Sequence, residues 1–375
     1  MPFSEQYFTN QARAIIEAAE EVTLFALRRL RYIAEQYIDD PSYNVRIEAE
    51  TRRLEARLAE FQAQYETLMD ERLATGYLHG LGRANAVALA AGATLTTGAF
   101  RADGILTPET FTMPISAKAR QILRDYPDHH TAYGVFQRAA YDQIRNIQPF
   151  VIRQQRDRIR DIAIQAGEVS FRESDVFTRR GFTQELMRRY SNEGVTAVMY
   201  RDGRTMKLDS YCEMVSRTML ANASRQANMY RLQENGIELV QISQHFPTSD
   251  LCEPWQARVY SISGGHSRYP SLQQAIDGGL YHSNCKHSQS GYVEGVSKLP
   301  DQDLPVTENR EQYEAMQRQR YNERQVRAWK RREVSAVDPR ERDRARAKIK
   351  EWQAKQRDFL KDKPFLRRDY TREAI

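Results

Sequence analysis

Residues 239–265 read LVQISQHFPTSDLCEPWQARVYSISGG, and residues 278–295 read GGLYHSNCKHSQSGYVEG. Together they hold Cys252 and Cys285, two of the three cysteines, and His245, His266, His282 and His287, four of the seven histidines. Thiolate and imidazole are borderline-soft ligands, and four of them close a tetrahedral zinc shell. Six residues separate His245 from Cys252, one separates Cys285 from His287, and His282 lies three before Cys285. A strand-to-loop segment would supply the first pair and a tight turn the second. This is not a common zinc-finger spacing. The plainer reading stays open beside it: cysteine also serves as a small buried hydrophobe, and loop histidines cap turns. A Cys252–Cys285 disulfide is disfavoured, since no secretory leader is evident and a reducing cytoplasm opposes the bond.

Working outward, residues 237–242 and 259–262 read as buried strands and 271–277 as a short helix. Upstream, VTAVMYRDGRTMKLD (195–209) reads as a β-hairpin turning at Asp202-Gly203. Asp209 or Ser210 then caps a helix that runs to Glu234 and closes at Asn235-Gly236. Arg217, mid-helix, is assigned a structural role. The region 175–299 is therefore expected to be a small α+β unit. Its irregular Cys/His loops bury little apolar area, and a structural zinc is the kind of staple they need.

The flanks are helical. Residues 4–38 carry Ile15, Ala19, Val22, Phe25 or Ala26, Leu30 and Ile33 at helical spacing, and Asp39-Asp40-Pro41 stops them. Leu54, Leu58, Phe61, Tyr65 and Leu68 mark a second helix over 42–74 with an a/d seam. An αα-hairpin is the economical reading, and a subunit–subunit seam the sharper alternative. Gly76, Gly80 and Gly82 then break the pattern, and small-residue helix resumes over 84–95. Helices are expected over 116–126, 131–147 and 150–165, with His129-His130 in the turn after Pro127, and another over 183–192. After Pro305 come an aromatic and basic helix to about Lys330 and a mixed-charge helix over 340–361, opened by Asp338-Pro339. The anchors Trp329, Trp352 and Phe359 are too few for a core of their own. The expected fold class is mainly α with a small α+β centre. Its regions are a helical 1–168, the Cys/His-stapled 175–299 and a basic helical 300–375.

At 375 residues the chain can hold two or three domains, and with 28% charged residues much of it should be solvated helix. No stretch has the apolar length needed to span a bilayer. Residues 301–375 hold 21 Lys+Arg against 15 Asp+Glu, and the remainder 35 against 35, so the whole excess of positive charge lies in the last fifth. That distribution suits nucleic acid or an acidic protein surface, and equally a solvated ion-paired helix.

A resemblance rests on several ordered motifs. WQARVYSISGG (255–265), YPSL (269–272), GGL (278–280) and NCKH (284–287) resemble the signature of the phage minor capsid protein 2 family. So do YRDGRTMKLDSYCEMVSRT (200–218), ENGIELVQIS (234–243) and ENREQYEAMQRQRYNERQVRAWKRR (308–332). The match runs in detail from Thr196 to the C-terminus. In the family pattern His245 matches the first histidine and Cys252 stands where a second usually lies. Asn284, Cys285 and His287 match the last motif, with Lys286 in an arginine position. The resemblance implies a structural zinc on His245, Cys252, Cys285 and His287. His282 is an alternate ligand, by likeness to the ending of the related Mu F-like head morphogenesis proteins.

The resemblance implies a structural minor head protein of a tailed bacteriophage, docked at or near the portal vertex and aiding head assembly, DNA packaging or genome organisation. Its partners would be the portal protein, other head proteins and copies of itself, with packaged DNA on the basic C-terminal region and no membrane. It would be assembled in the host cytoplasm and lie in the capsid interior or at the portal vertex. It would not be an enzyme. Two other classes remain. One is a metal-dependent nuclease with Asp250, Glu253 or His266 as base, although no His-x-Glu with Cys-x-x-Cys, no His-Glu-x-x-His and no phosphate-cradling glycine loop is present. The other is a stand-alone DNA-binding protein.

Overall fold

The computed structural model describes residues 5–37, 43–91, 127–145, 179–193, 198–199, 204–299 and 305–375. The order is α1 (Glu5–Tyr37), α2 (Tyr43–Ala90), α3 (Pro127–Arg145), α4 (Arg179–Glu193), β1 (Val198–Met199), β2 (Thr205–Met206), α5 (Leu208–Glu234), β3 (Leu239–Ile242), β4 (Val259–Ser261), α6 (Leu272–Asp277), β5 (Gln289–Gly291), α7 (Val306–Ser335) and α8 (Pro339–Lys361). The protein is mainly helical with a small α+β part. Its chain divides into two compact units. One comprises Met1–Ile15, Glu66–Gln143 and Glu213–Tyr313, the other Ile16–Tyr65, Ile144–Cys212 and Glu314–Ile375.

The first unit carries the three-stranded sheet, in the order β4-β3-β5 with both pairings antiparallel. Val240 and Ile242 of β3 are fully buried and share a core with Leu232, Tyr260, Leu272, Leu280 and Cys252. Ser271 caps α6 by accepting from the Gln273 N–H. Strand β5 was not expected: Gln-Ser-Gly has little strand propensity, and its pairing with β3 alone makes it a strand.

The largest departure from expectation lies in α2, which does not end near Ala74 but continues unbroken through Gly76, Gly80 and Gly82 to Ala90. The glycines at 76 and 80 are one helical turn apart, and both face α5. A Cβ built on Gly76 would lie 3.2 Å from the Leu220 carbonyl oxygen, and one on Gly80 only 2.1 Å from that of Ser224. Asn228 donates its amide N–H to the Gly80 carbonyl (3.3 Å), and the buried Arg231 donates to Asn85 Oδ1 (2.6 Å). The glycines are the contact surface of a close helix pair, and the helix propensity they forgo is recovered in packing. Gly134 of α3 meets nothing within 4 Å. Gly134→Ala is therefore expected to stabilise by up to about 1 kcal/mol, and Gly80→Ala to destabilise by about 1–3 kcal/mol despite the same propensity gain. Urea midpoints of the two variants read this directly, and a Gly80→Ala as stable as Gly134→Ala would refute the close approach.

In the second unit α1 and α2 form the αα-hairpin. Val22, Ala26, Leu30 and Ile33 are buried, as are Leu54, Leu58, Phe61 and Tyr65, while Phe25 is half-exposed. Leu68 is only half-buried and Met69 takes the buried place, because a straight helix drifts off a strict heptad. The seam is thus used inside the chain, which removes the basis for a subunit–subunit seam. Arg29 grips Glu50 with two bonds (2.7 and 2.6 Å) across the hairpin, and Arg57 pairs with Glu21 (3.0 Å). The short β1–β2 hairpin forms in the expected place, with Val198 opposite Met206.

Most of α7 and all of α8 are part of this unit. Arg331 of α7 is buried and pairs with Glu20 of α1 and with Asp209 at the start of α5 (3.0 Å). Helix α5 begins at Leu208, and Asp209, expected as its cap, is drawn into this cluster. Burial, then the neighbouring Arg331, push the nearby Lys207 down to about 8. The C-terminal aromatic anchors also find partners in the chain: Tyr321 meets Trp352 edge-on at 5.8 Å, and Lys363 lies over Phe359 at 4.3 Å.

Two helix starts also differ. Helix α3 begins at Pro127, four residues earlier than expected, since proline suits a first turn that needs no N–H. His129 and His130 therefore lie in a helix and not in a turn. Helix α4 begins at Arg179. The helices expected over 116–126 and 150–165 lie outside the described residues.

Candidate metal centre

The sheet brings the Cys/His segments together. Antiparallel pairing of Ile242 with Gln289 sets the loop leaving β3 beside the loop entering β5. The Ser243 N–H donates to the Ser288 carbonyl and the Ser288 N–H to the Ser243 hydroxyl, both at 2.9 Å. His245 lies three residues beyond the end of β3 and His287 two before the start of β5, and their rings meet with centroids 4.2 Å apart. Cys252 is positioned by a turn in which its own N–H and that of Glu253 donate to the Ser249 carbonyl (3.0 and 2.9 Å). Cys285 is positioned by a tight turn closed by its N–H on the His282 carbonyl (2.9 Å), with Tyr281 and Asn284 at positive φ.

The ligand atoms of Cys252, Cys285 and His287 all lie within 4.8 Å of one another, the one such Cys/His/carboxylate group among the described residues. The two sulfurs are 3.4 Å apart, too far for a bond and close to the spacing of about 3.8 Å between two thiolates on a tetrahedral zinc. Cys285 Sγ and His287 Nδ1 are also 3.4 Å apart, against about 3.6 Å for a sulfur and a nitrogen on one zinc. The His287 N–H points at Cys285 Sγ (3.4 Å), a contact that favours thiolate. The donor set therefore fits three corners of a zinc shell.

His287 is 2% exposed, and its Nε2 donates to Gln256 Oε1 at 3.1 Å. That bond leaves Nδ1 with its lone pair toward the sulfurs, the arrangement a metal-binding histidine needs. Gln256 also accepts from the His245 N–H (3.2 Å) and thereby ties both loops. Behind the centre the buried Arg225 donates to the His287 carbonyl (3.0 Å) and lies over the Tyr281 ring at 4.0 Å. The bond from Cys252 holds the Cys285 thiol well below its usual range, with burial opposing and Arg225 assisting, while Cys252 is raised. One thiolate is thus stabilised before any cation arrives. Gln256 and Arg225 escaped the sequence reading. Gln256 stands inside the WQARVYS motif, but nothing in its spacing points to His287, and Arg225 lies in a helix far upstream.

The other expected residues lie elsewhere. His282 directs Nε2 to the Ser249 hydroxyl (3.0 Å) and Nδ1 toward the Ser283 carbonyl (2.7 Å). His266 is exposed and accepts the Arg268 N–H. Neither Asp250 nor Glu253 contributes an oxygen to the group. From outside, Asn309 of α7 clamps the ligand loop by accepting from the Thr248 N–H (2.8 Å) and donating to its carbonyl (3.2 Å). Residues beyond 300 are therefore part of the centre's support.

Fold and site define a mainly helical protein with a small sheet that gathers a Cys/His group in its loops. Comparison with known proteins supplies the family: the chain belongs to the phage minor capsid protein 2 family, whose model matches residues 131–361. It is similar to a structural protein of Lactococcus phage LL-H, 27% identical over 190 residues, which are 48% of this chain and 51% of that one. It is also similar to a structural protein of Lactococcus phage mv4, 32% identical over 114 residues, 29% of this chain and 93% of that one. The chain thus spans about half the length of the LL-H relative. No solved structure matches it. Among the described residues no helix is long and apolar enough to cross a membrane.

Proposed function

We propose that this phage structural protein acts in the virion at or near the portal vertex, without catalytic activity, aiding head assembly or the organisation of packaged DNA. The carrying observation is the family match over 131–361, which takes in the Cys/His centre and the whole of α7 and α8. Its partners would be the portal, other head proteins and further copies of itself, with DNA meeting the basic C-terminal helices. Antibody labelling of intact and DNA-emptied particles tests the location. Label confined to one vertex supports the reading, and label spread over the shell or absent from particles overturns it.

Within that role Cys252, Cys285 and His287 would hold a zinc, with His245, stacked on His287, as the fourth ligand. The ion would be structural: it would tie the loop after β3 to the loop before β5, which hydrogen bonds and the His245–His287 ring contact hold otherwise. Gln256 would set the His287 tautomer. Gln256→Leu is accordingly expected to weaken zinc about 10- to 100-fold while leaving all four ligands in place. Competition with a chromophoric chelator measures this, and unchanged affinity would remove Gln256 from the centre.

A further inference from the structure

Between α4, α7 and α8, within the second unit, lies a cavity of about 280 Å³. Its walls include Arg188, Arg332 and Arg344, with Trp329, Gln184 and Glu341. Gln184 is already engaged, because its Oε1 accepts the N–H groups of Val337 and Asp338, both at 3.0 Å. Arg188 is matched by a two-bond contact with Glu185 (2.6 Å each), and Arg344 reaches Glu341 at 3.5 Å. Arg332 differs. Its Nε donates to the neutral Asn192 Oδ1 (2.7 Å) and its guanidinium lies 4.1 Å over the Trp329 ring. No carboxylate stands in ion-pair range of it among the described residues. It is half-buried, and burial, then Arg188 and Arg344, lower its pKa, with the more distant Glu341 opposing them. A partly desolvated guanidinium whose own partners are a neutral amide and an indole ring is costly unless an anion offsets it.

We propose that this cavity takes a phosphate group of a DNA strand, gripped by Arg332 with Arg188 and Arg344 and flanked by Trp329. The guanidinium fork matches phosphate oxygens in pairs. The volume admits a phosphate with part of its sugar, and the indole supplies an aromatic wall beside it. The assignment rests on the proposed contact with packaged DNA, and it replaces diffuse attraction to the basic C-terminal region by one built site.

The test uses the full chain, because α7 begins in the first unit and continues in the second. Anisotropy of a labelled DNA oligonucleotide is measured at several low salt concentrations. Arg332→Gln with Arg344→Gln is compared with a charge-matched pair on exposed positions of α8, Lys350→Gln with Arg357→Gln. The cavity pair is expected to lose about tenfold or more in affinity and to flatten the salt slope by about one, and the control pair to do neither. Arg332→Lys, which keeps the charge and loses the fork, should fall between. Equal losses from both pairs would overturn the cavity and leave DNA binding intact. If the unmodified chain binds no DNA, melting in inorganic phosphate separates the two ideas. A phosphate-dependent rise that Arg332→Gln abolishes keeps the anion site and removes DNA as its source, and no rise overturns both.

Discussion

Purified protein is expected to carry one zinc per chain, and Cys285→Ser or Cys252→Ser to lose it. A structural zinc contributes on the order of 10 kcal/mol in small domains. The loops it would tie have little regular structure: His245, Cys252, Cys285 and His287 lie in irregular chain between strands of three and four residues. Stripping the ion should therefore lower the unfolding temperature of the first unit sharply while the αα-hairpin of the second keeps its own transition. Affinity should fall with pH, because acid protonates the thiolates and the imidazoles that must bind as bases. His245→Ala and His282→Ala decide the fourth ligand, and only the true one should release metal. Elemental analysis finding no stoichiometric metal, with Cys285→Ser as stable as the parent, would end the proposal.

Arg331→Ala is expected to cost the second unit about 3–5 kcal/mol, because it strands Glu20 and Asp209 without a counter-charge in a buried setting. Arg331 is 3% exposed and binds both carboxylates. Burial alone would raise the Asp209 carboxyl, but Arg331, Arg327 and Lys207 hold it below its usual range. A depressed folded value means that the contribution is complete above the unfolded value of about 3.9 and is lost as the pH falls through the folded one. The destabilisation by Arg331→Ala should thus shrink in strong acid. Arg346→Ala, which removes an exposed pair with Glu333 on the same helices, should change nothing measurable. Urea unfolding of both variants at neutral and acid pH checks the pattern, and equal behaviour of the two would refute a buried cluster.

Much of this was legible in the chain itself. Helix starts and stops at Asp338-Pro339 and Asn235-Gly236, the apolar stripe of α1, and strands β3 and β4 follow from local periodicity and from residues with restricted backbones. The Cys/His group could be suspected because rare ligand types cluster in sequence near two strands. Antiparallel pairing of those strands' neighbours is what turns that clustering into proximity.

Other features depend on contacts that sequence spacing does not carry. Gly76 and Gly80 read as breakers, since glycine weakens an isolated helix, but their missing side chains let α2 meet the α5 backbone. β5 is a strand because β3 offers it an edge. Gln256 and Arg225 reach the centre from a neighbouring turn and a distant helix, and Arg331 finds Glu20 across 311 residues of chain. Arg188, Arg332 and Arg344 are separate solvated charges in the sequence and walls of one cavity in the fold. Local pattern determines which elements form, because propensity and amphipathicity act over a few turns. Which faces meet, and which charges are buried together, is decided by packing free energy summed over residues far apart in the chain.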